Sequence, residues 1–278
     1  MSEQKPTAPW QVIGASVVGA AHARAGKPCQ DAIGWRQEGE FAVLAVADGH
    51  GSEHSPYSDT GARIAVEVAV QLLSDLYRNS GSFPSRSAVK RYAEEQLPKA
   101  IVREWIERVK DRHRTEGRDD AQSEKELLVR YGSTLLAALL AEEFLLFLQV
   151  GDGDILVVAD DGHVMRPIPK DERLVANETT SLATPDAWRE VRVHLAPILD
   201  QPLALVLLAT DGYANSFVTE PDFLQVGVDY LELIREQGLE RVASHLEEWL
   251  NGASVQGSGD DITVGLAFRM TGGRQNEG

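Results

Sequence analysis

The strand-forming runs of this 278-residue chain come in blocks, and its helix-forming runs come in pairs. Gln11 to Ala20 and Phe41 to Ala47 read as the opening strands, and the second is apolar enough to be covered on both faces. The loop between them is polar and carries His22, Arg24, Lys27, Gln30 and Asp31. Two long helical patterns follow. In the first, Ile64/Ala65, Val68/Ala69 and Leu72/Leu73 recur at helical spacing behind Asp59 as N-cap. The second runs from Ser87 to Arg114 on Val89, Tyr92, Ile101, Trp105 and Val109, with a kink at Pro98. Lys110 to Glu126 is dense in charge and reads as a solvated helix end and loop.

From Tyr131 the period becomes that of strands. GSTLLAALL and EFLLFLQV form a hairpin around Ala141-Glu142, and DILVVAD with GHVMRPI forms another. Leu203 to Thr210 is a further buried strand, and the last strand sets Ile262, Val264, Leu266 and Phe268 on one face. Helical segments at Pro221 to Glu236 and Leu239 to Leu250 lie between these two strands. This is not the strict alternation of a doubly wound parallel sheet. It predicts an α+β fold of two packed antiparallel sheets flanked by helices on both sides. One domain over residues 11–270 is expected, with short tails at 1–10 and 271–278.

Composition narrows the partners. Lys plus Arg number 27 against 43 Asp plus Glu, a formal charge of −16. Such a surface repels nucleic acid and anionic lipid, yet admits phosphate chemistry where metal ions stand between protein and phosphate. A single cysteine, Cys29, allows no internal disulfide and fits a reducing compartment. The first ten residues carry no signal-peptide pattern, and the longest apolar run, Leu203 to Ala209, is too short to span a bilayer. A soluble cytoplasmic monomer is expected.

The chemistry gathers at strand ends. Asp48-Gly49 closes FAVLAVA, Asp211-Gly212 closes LALVLLAT, Gly151-Asp152-Gly153 closes EFLLFLQV, and Asp260-Asp261 opens the final strand. Each alone is a turn signal. Together they form a set of carboxylates, each beside a glycine and each held on a rigid element, as a site for hard divalent cations requires. Histidine and cysteine clusters of zinc spacing are absent from the sequence.

These stretches resemble, in order, the motifs of the metal-dependent serine/threonine protein phosphatases, the type 2C or PPM family. VADGHG is similar to the family's Asp-Gly-His-Gly, YGSTLLAALL to its Gly-Ser-Thr strand, and VGDGD to its Gly-Asp-Ser-Arg turn. ATDGYAN and GDDITVGLA are similar to its two later aspartate motifs. HARAGKPCQDA and ANETTSLAT resemble a bacterial branch. The resemblance spans Val12 to Phe268 and implies a four-layer αββα sandwich. It also implies a phosphoserine/phosphothreonine hydrolase with Mn2+ or Mg2+ as cofactor, two ions with a weaker third.

Position by position, the resemblance makes Asp48 the bridge between two metals, with the carbonyl of Gly49 on the second. Asp211 and Asp260 complete the first metal site, and Asp152 joins Asp211 at the third. His50 is the general acid, and Asp31 orients the attacking water. Three positions depart from the pattern. Gln30 stands where the family has Glu, and Asp154 where it has the Arg of Gly-Asp-Ser-Arg. The family's phosphate-binding Arg has no clean match, which leaves Arg24, Lys27 or His22.

The chemistry is consistent with that assignment. Two ions about 3.5–4 Å apart acidify a water held between them, which attacks phosphorus in line. The serine or threonine oxygen leaves poorly, so a positioned acid contributes roughly 10²–10⁴-fold. His54 reads as a surface or helix-start residue, and nothing surrounds His113, His163, His194 or His245. A cysteine phosphatase needs Cys, five residues, then Arg, but the sixth residue after Cys29 is Trp35. No Walker loop is present. Phosphorylated proteins are the expected substrates, with an opposing serine/threonine kinase as partner. The rival readings are an inactive pseudophosphatase that binds phosphoproteins on the same fold, and a metal-dependent nuclease or nucleotide hydrolase. Retention of Asp48, Asp211 and Asp260 argues against the first, and the missing basic surface against the second.

Overall fold

The computed structural model describes residues 10–171, 179–197 and 203–270. Among the described residues ten strands and eight α-helices follow one another in blocks. Strand β1 (Trp10–Val17), helix α1 (Ala20–Ala25), β2 (Ala32–Glu38) and β3 (Phe41–Ala47) precede the helices α2 (Ser58–Arg78), α3 (Arg86–Glu95), α4 (Leu97–Thr115) and α5 (Glu124–Arg130). Then come β4 (Leu135–Ala141), β5 (Phe144–Val150), β6 (Asp154–Ala159), β7 (Val164–Met165), β8 (Arg192–Pro197) and β9 (Leu203–Ala209). Helices α6 (Asp211–Ala214), α7 (Glu220–Gln237) and α8 (Leu239–Gln256) lead to β10 (Ile262–Arg269).

One sheet has the order β1-β10-β9-β6-β7 and the other β2-β3-β4-β5-β8, antiparallel throughout. The alternation of side chains explains the layering. In β3, Ala42, Leu44 and Val46 face the other sheet, while Phe41, Val43, Ala45 and Ala47 face α2 and α4. Both faces of the strand are therefore buried, as its unbroken apolar run requires. Ile262, Val264, Leu266 and Phe268 of β10 point to α7 and α8, and Ala267 points between the sheets. The sheets approach closely at Gly265, where a β carbon would stand 2.7 Å from Leu44 Cδ1. The result is the four-layer αββα sandwich.

Local boundaries differ where tertiary contacts intervene. Trp10, assigned from sequence to the tail, opens β1 and is 1% exposed. The expected strand to Ala20 ends at Val17, and His22 and Arg24 lie on the short helix α1 rather than in a loop. The pattern from Ser87 to Arg114 divides at Gln96 instead of bending at Pro98, because Pro98 sits in the first turn of α4 where its missing N–H costs nothing. Asp59 is not the N-cap of α2 but lies in its first turn, paired with Arg63 at 3.0 Å. Strands β2 and β8 carry no strong alternation and are held as the edges of the second sheet by pairing to β3 and β5. The expected tails at 1–9 and 271–278 lie outside the described residues, as do Ala176 to Glu178 of ANETTSLAT. Among the described residues no helix is long and apolar enough to cross a membrane.

Candidate active site

The four strand-end acids converge from both sheets. After β3 the backbone keeps pairing toward β4: Thr134 N donates to Asp48 O at 2.8 Å and Asp48 N to Thr134 Oγ1 at 2.9 Å. Gly49 bridges to Ser133, and His50 N donates to Gly132 O at 3.1 Å. Asp152 sits in the β5–β6 turn, where Thr179 Oγ1 donates to its Oδ1 at 2.9 Å. Asp211 opens α6 directly after β9, and Asp260 precedes β10.

Burial first, then the charges of Asp31, Asp211, Asp260 and Asp152, push the Asp48 carboxyl well above its ordinary range. Asp211 is raised to about 6 by burial and then by Asp152 and Asp260, and it shares a hydrogen bond with Asp48. Asp31 is raised to about 7, mainly by burial, although it accepts a hydrogen bond from Thr210 Oγ1 at 2.7 Å. Carboxylates crowded in this way repel unless protons or cations stand between them. Among the described residues no three His, Cys, Asp or Glu groups form a ready-made metal cage. The donors are gathered but not closed.

Gln30 adds a second indication that the site takes a cation. It is buried, its Nε2 donates to Ser58 Oγ at 3.1 Å, and its Oε1 has no hydrogen-bond partner. A β carbon on Gly51 would lie 2.7 Å from that oxygen and 3.9 Å from Gly49 O. The amide oxygen and the Gly49 carbonyl therefore face one space, which Gly51 leaves open. Crowded carboxylates, an orphaned buried oxygen and a backbone carbonyl make an oxygen donor set suited to Mg2+ or Mn2+.

The family described as Protein phosphatase 2C matches residues 18–251. The chain belongs to the protein phosphatase 2C family. It is a phosphoprotein phosphatase. Serine/threonine-protein phosphatase 3 of Escherichia coli is 27% identical, over 93% of this chain and 98% of that protein. The fold is shared with Staphylococcus aureus Stp1, at TM-score 0.59 and 15% identity over 98% of this chain and 99% of Stp1. It is also shared with the catalytic domain of PstP in complex with two manganese ions, at TM-score 0.55 and 17% identity over 93% and 97% of the two chains.

Several side chains of this type 2C phosphatase have environments that sequence reasoning did not reach. Asp261, beside Asp260, turns inward and accepts from Gly19 N at 2.6 Å and Gln30 N at 2.7 Å. It also lies 3.0 Å from His22 Nδ1. His22 Nδ1 thus stands beside a buried carboxylate without a hydrogen bond to it, whereas Arg24 and Lys27 are exposed on the end of α1 and the turn after it. His50 is half-buried, and that burial lowers its imidazole pKa against the opposing charge of Asp152. His54 is exposed, as expected. His113 is not isolated: its Nδ1 lies 3.3 Å from Tyr131 Oη and its Nε2 3.5 Å from Asp120. Only long-range packing reveals these contacts.

Asp154, the family's Arg position, is 3% exposed and receives Arg166 Nε at 2.5 Å. Arg166 Nη1 also reaches Glu220 at 2.6 Å. The charge at this turn is balanced by a residue from beyond β7. Removing one partner of a buried pair strands the other charge, so Arg166→Met is expected to destabilise the protein by about 3 kcal/mol. Urea unfolding measures this, and Asp154→Asn added to Arg166→Met should recover much of the loss. Equal stability of Arg166→Met and native protein would refute it.

Proposed function

We propose that this phosphatase hydrolyses phosphoserine and phosphothreonine monoesters on proteins. The proposed site holds two Mn2+ or Mg2+ ions, with a weaker third, in one catalytic domain that starts at Trp10, one residue before the expected 11–270. The convergence of Asp48, Asp211, Asp260 and Asp152 supports this reading, together with the serine/threonine phosphatase related to the chain. When bound, the cations supply positive charge to the phosphoryl oxygens and acidify the attacking water.

The protein's own groups have separate tasks. Asp48 would hold both ions, with Gly49 O and Gln30 Oε1 as further donors to the second, Asp211 and Asp260 as donors to the first, and Asp152 with Asp211 as donors to the third. Asp31, fixed by Thr210, accepts a hydrogen bond from the attacking water and so orients it. His50 donates a proton to the leaving serine or threonine oxygen. Arg24 and Lys27 are the phosphate-binding cations best able to move to a substrate. His22, 3.0 Å from Asp261, is the third candidate and the one least free to move. A cytoplasmic monomer opposed by a serine/threonine kinase completes the proposal.

The deciding experiment is Mn2+-dependent release of phosphate from a phosphothreonine peptide. Asp48→Asn is the control, and a panel of nucleotides excludes nucleotide hydrolysis. Binding of the peptide without turnover would favour the pseudophosphatase reading. Gln30 gives a second test, because cation affinity follows ligand charge. Gln30→Glu is expected to lower the metal concentration for half-maximal activity by roughly an order of magnitude. An unchanged midpoint would remove Gln30 from the metal site.

A further inference from the structure

The geometry points to Gly132 as the seat of the His50 imidazole: the ring lies across the bare Cα of Gly132, which makes this glycine a positioning residue for proton donation. The inference rests on the reading of His50 as the leaving-group acid. His50 and Gly132 face each other where the paired ends of β3 and β4 approach, joined by His50 N to Gly132 O at 3.1 Å. A β carbon on Gly132 would stand 2.4 Å from His50 Cδ2 and 3.3 Å from its Nε2. Gly132 is not among the residues with positive φ, so backbone conformation does not demand glycine there. Space does.

The platform beneath the ring cannot retreat. Tyr131, the preceding residue, is fully buried, and its carbonyl lies so close to α2 that a β carbon on Gly61 would come within 1.8 Å of it. Tyr57 N donates to Arg130 O at 2.9 Å on the same segment. On the far side, a β carbon on Gly132 would also meet Val129 O at 3.2 Å. A methyl group at 132 must therefore displace the imidazole, the softer neighbour, rather than the backbone. The ring would move by about an ångström, and misplacement on that scale costs on the order of 10²-fold in rate.

The test compares Gly132→Ala, His50→Ala and the double variant. For Gly132→Ala, kcat on a phosphoserine peptide is expected to fall on the order of 10²-fold. KM and Mn2+ affinity by calorimetry should stay near native, and kcat on 4-nitrophenyl phosphate should fall far less. Because only the 3.2 Å contact with Val129 O remains once the ring is gone, adding Gly132→Ala to His50→Ala should lower turnover no further and should lower the melting temperature much less than Gly132→Ala does in the native protein. Native phosphoserine turnover in Gly132→Ala overturns the seat, as does a full additional loss in the double variant. If His50→Ala alone lowers both substrates equally, the acid reading fails, while the melting-temperature comparison still decides the seat. Should Gly132→Ala not fold, the contact is read in the unaltered protein as a nuclear Overhauser effect between His50 Hδ2 and Gly132 Hα. Its absence overturns the inference.

Discussion

Asp211→Asn is expected to abolish phosphate release, by at least about 10³-fold, and chelation of the native protein should do the same until Mn2+ or Mg2+ is restored. Loss of a single neutral donor to a transition-state oxyanion already costs about 10²–10³-fold, and a carboxylate that holds a cation contributes more. The pH dependence of stability offers an independent check. Asp31 is raised to about 7 and Asp211 to about 6, against about 3.9 for an aspartate in the unfolded chain. Between these values the folded metal-free protein binds more protons than the unfolded one, so its stability falls as pH rises from about 4 through about 7. Cations bind the deprotonated carboxylates and cancel that loss. Chelator should therefore lower the melting temperature little at pH 5 and most at pH 8. A chelator effect independent of pH would mean that these acids do not hold the metal.

His50→Ala is expected to cost roughly 10²–10⁴-fold on phosphoserine peptides and little on aryl phosphates, whose leaving oxygen needs no proton. Burial lowers the His50 pKa below the ordinary histidine value, so the imidazolium is lost early as pH rises. In the native enzyme the ratio of phosphoserine to aryl phosphate turnover should consequently fall with rising pH. In His50→Ala that ratio should be flat. A parallel pH profile in both proteins would assign the proton to another donor.

Much of the site was legible because its signals are local. An apolar run that stops at Asp-Gly announces both a buried strand and an acid at its end, as at Asp48 and Asp211, with no knowledge of the partner strand. The same holds for the order of blocks, since hydrophobic periodicity is a property of ten or so neighbouring residues. Edge strands β2 and β8 were not legible, because their pairing to β3 and β5 outweighs weak propensities of their own.

The sequence by itself determined that four acids would stand at strand ends and that helices would cover two sheets, because turn chemistry and side-chain period act between neighbours. The tertiary structure decided which acids come together. Successive residues point in opposite directions, so Asp260 adds its charge to Asp48 while Asp261 captures Gly19, 242 positions away. It likewise gave Asp154 its Arg166, left Gln30 Oε1 without a partner, and laid His50 across Gly132. Each of these depends on distances between segments that only the closed sandwich brings together.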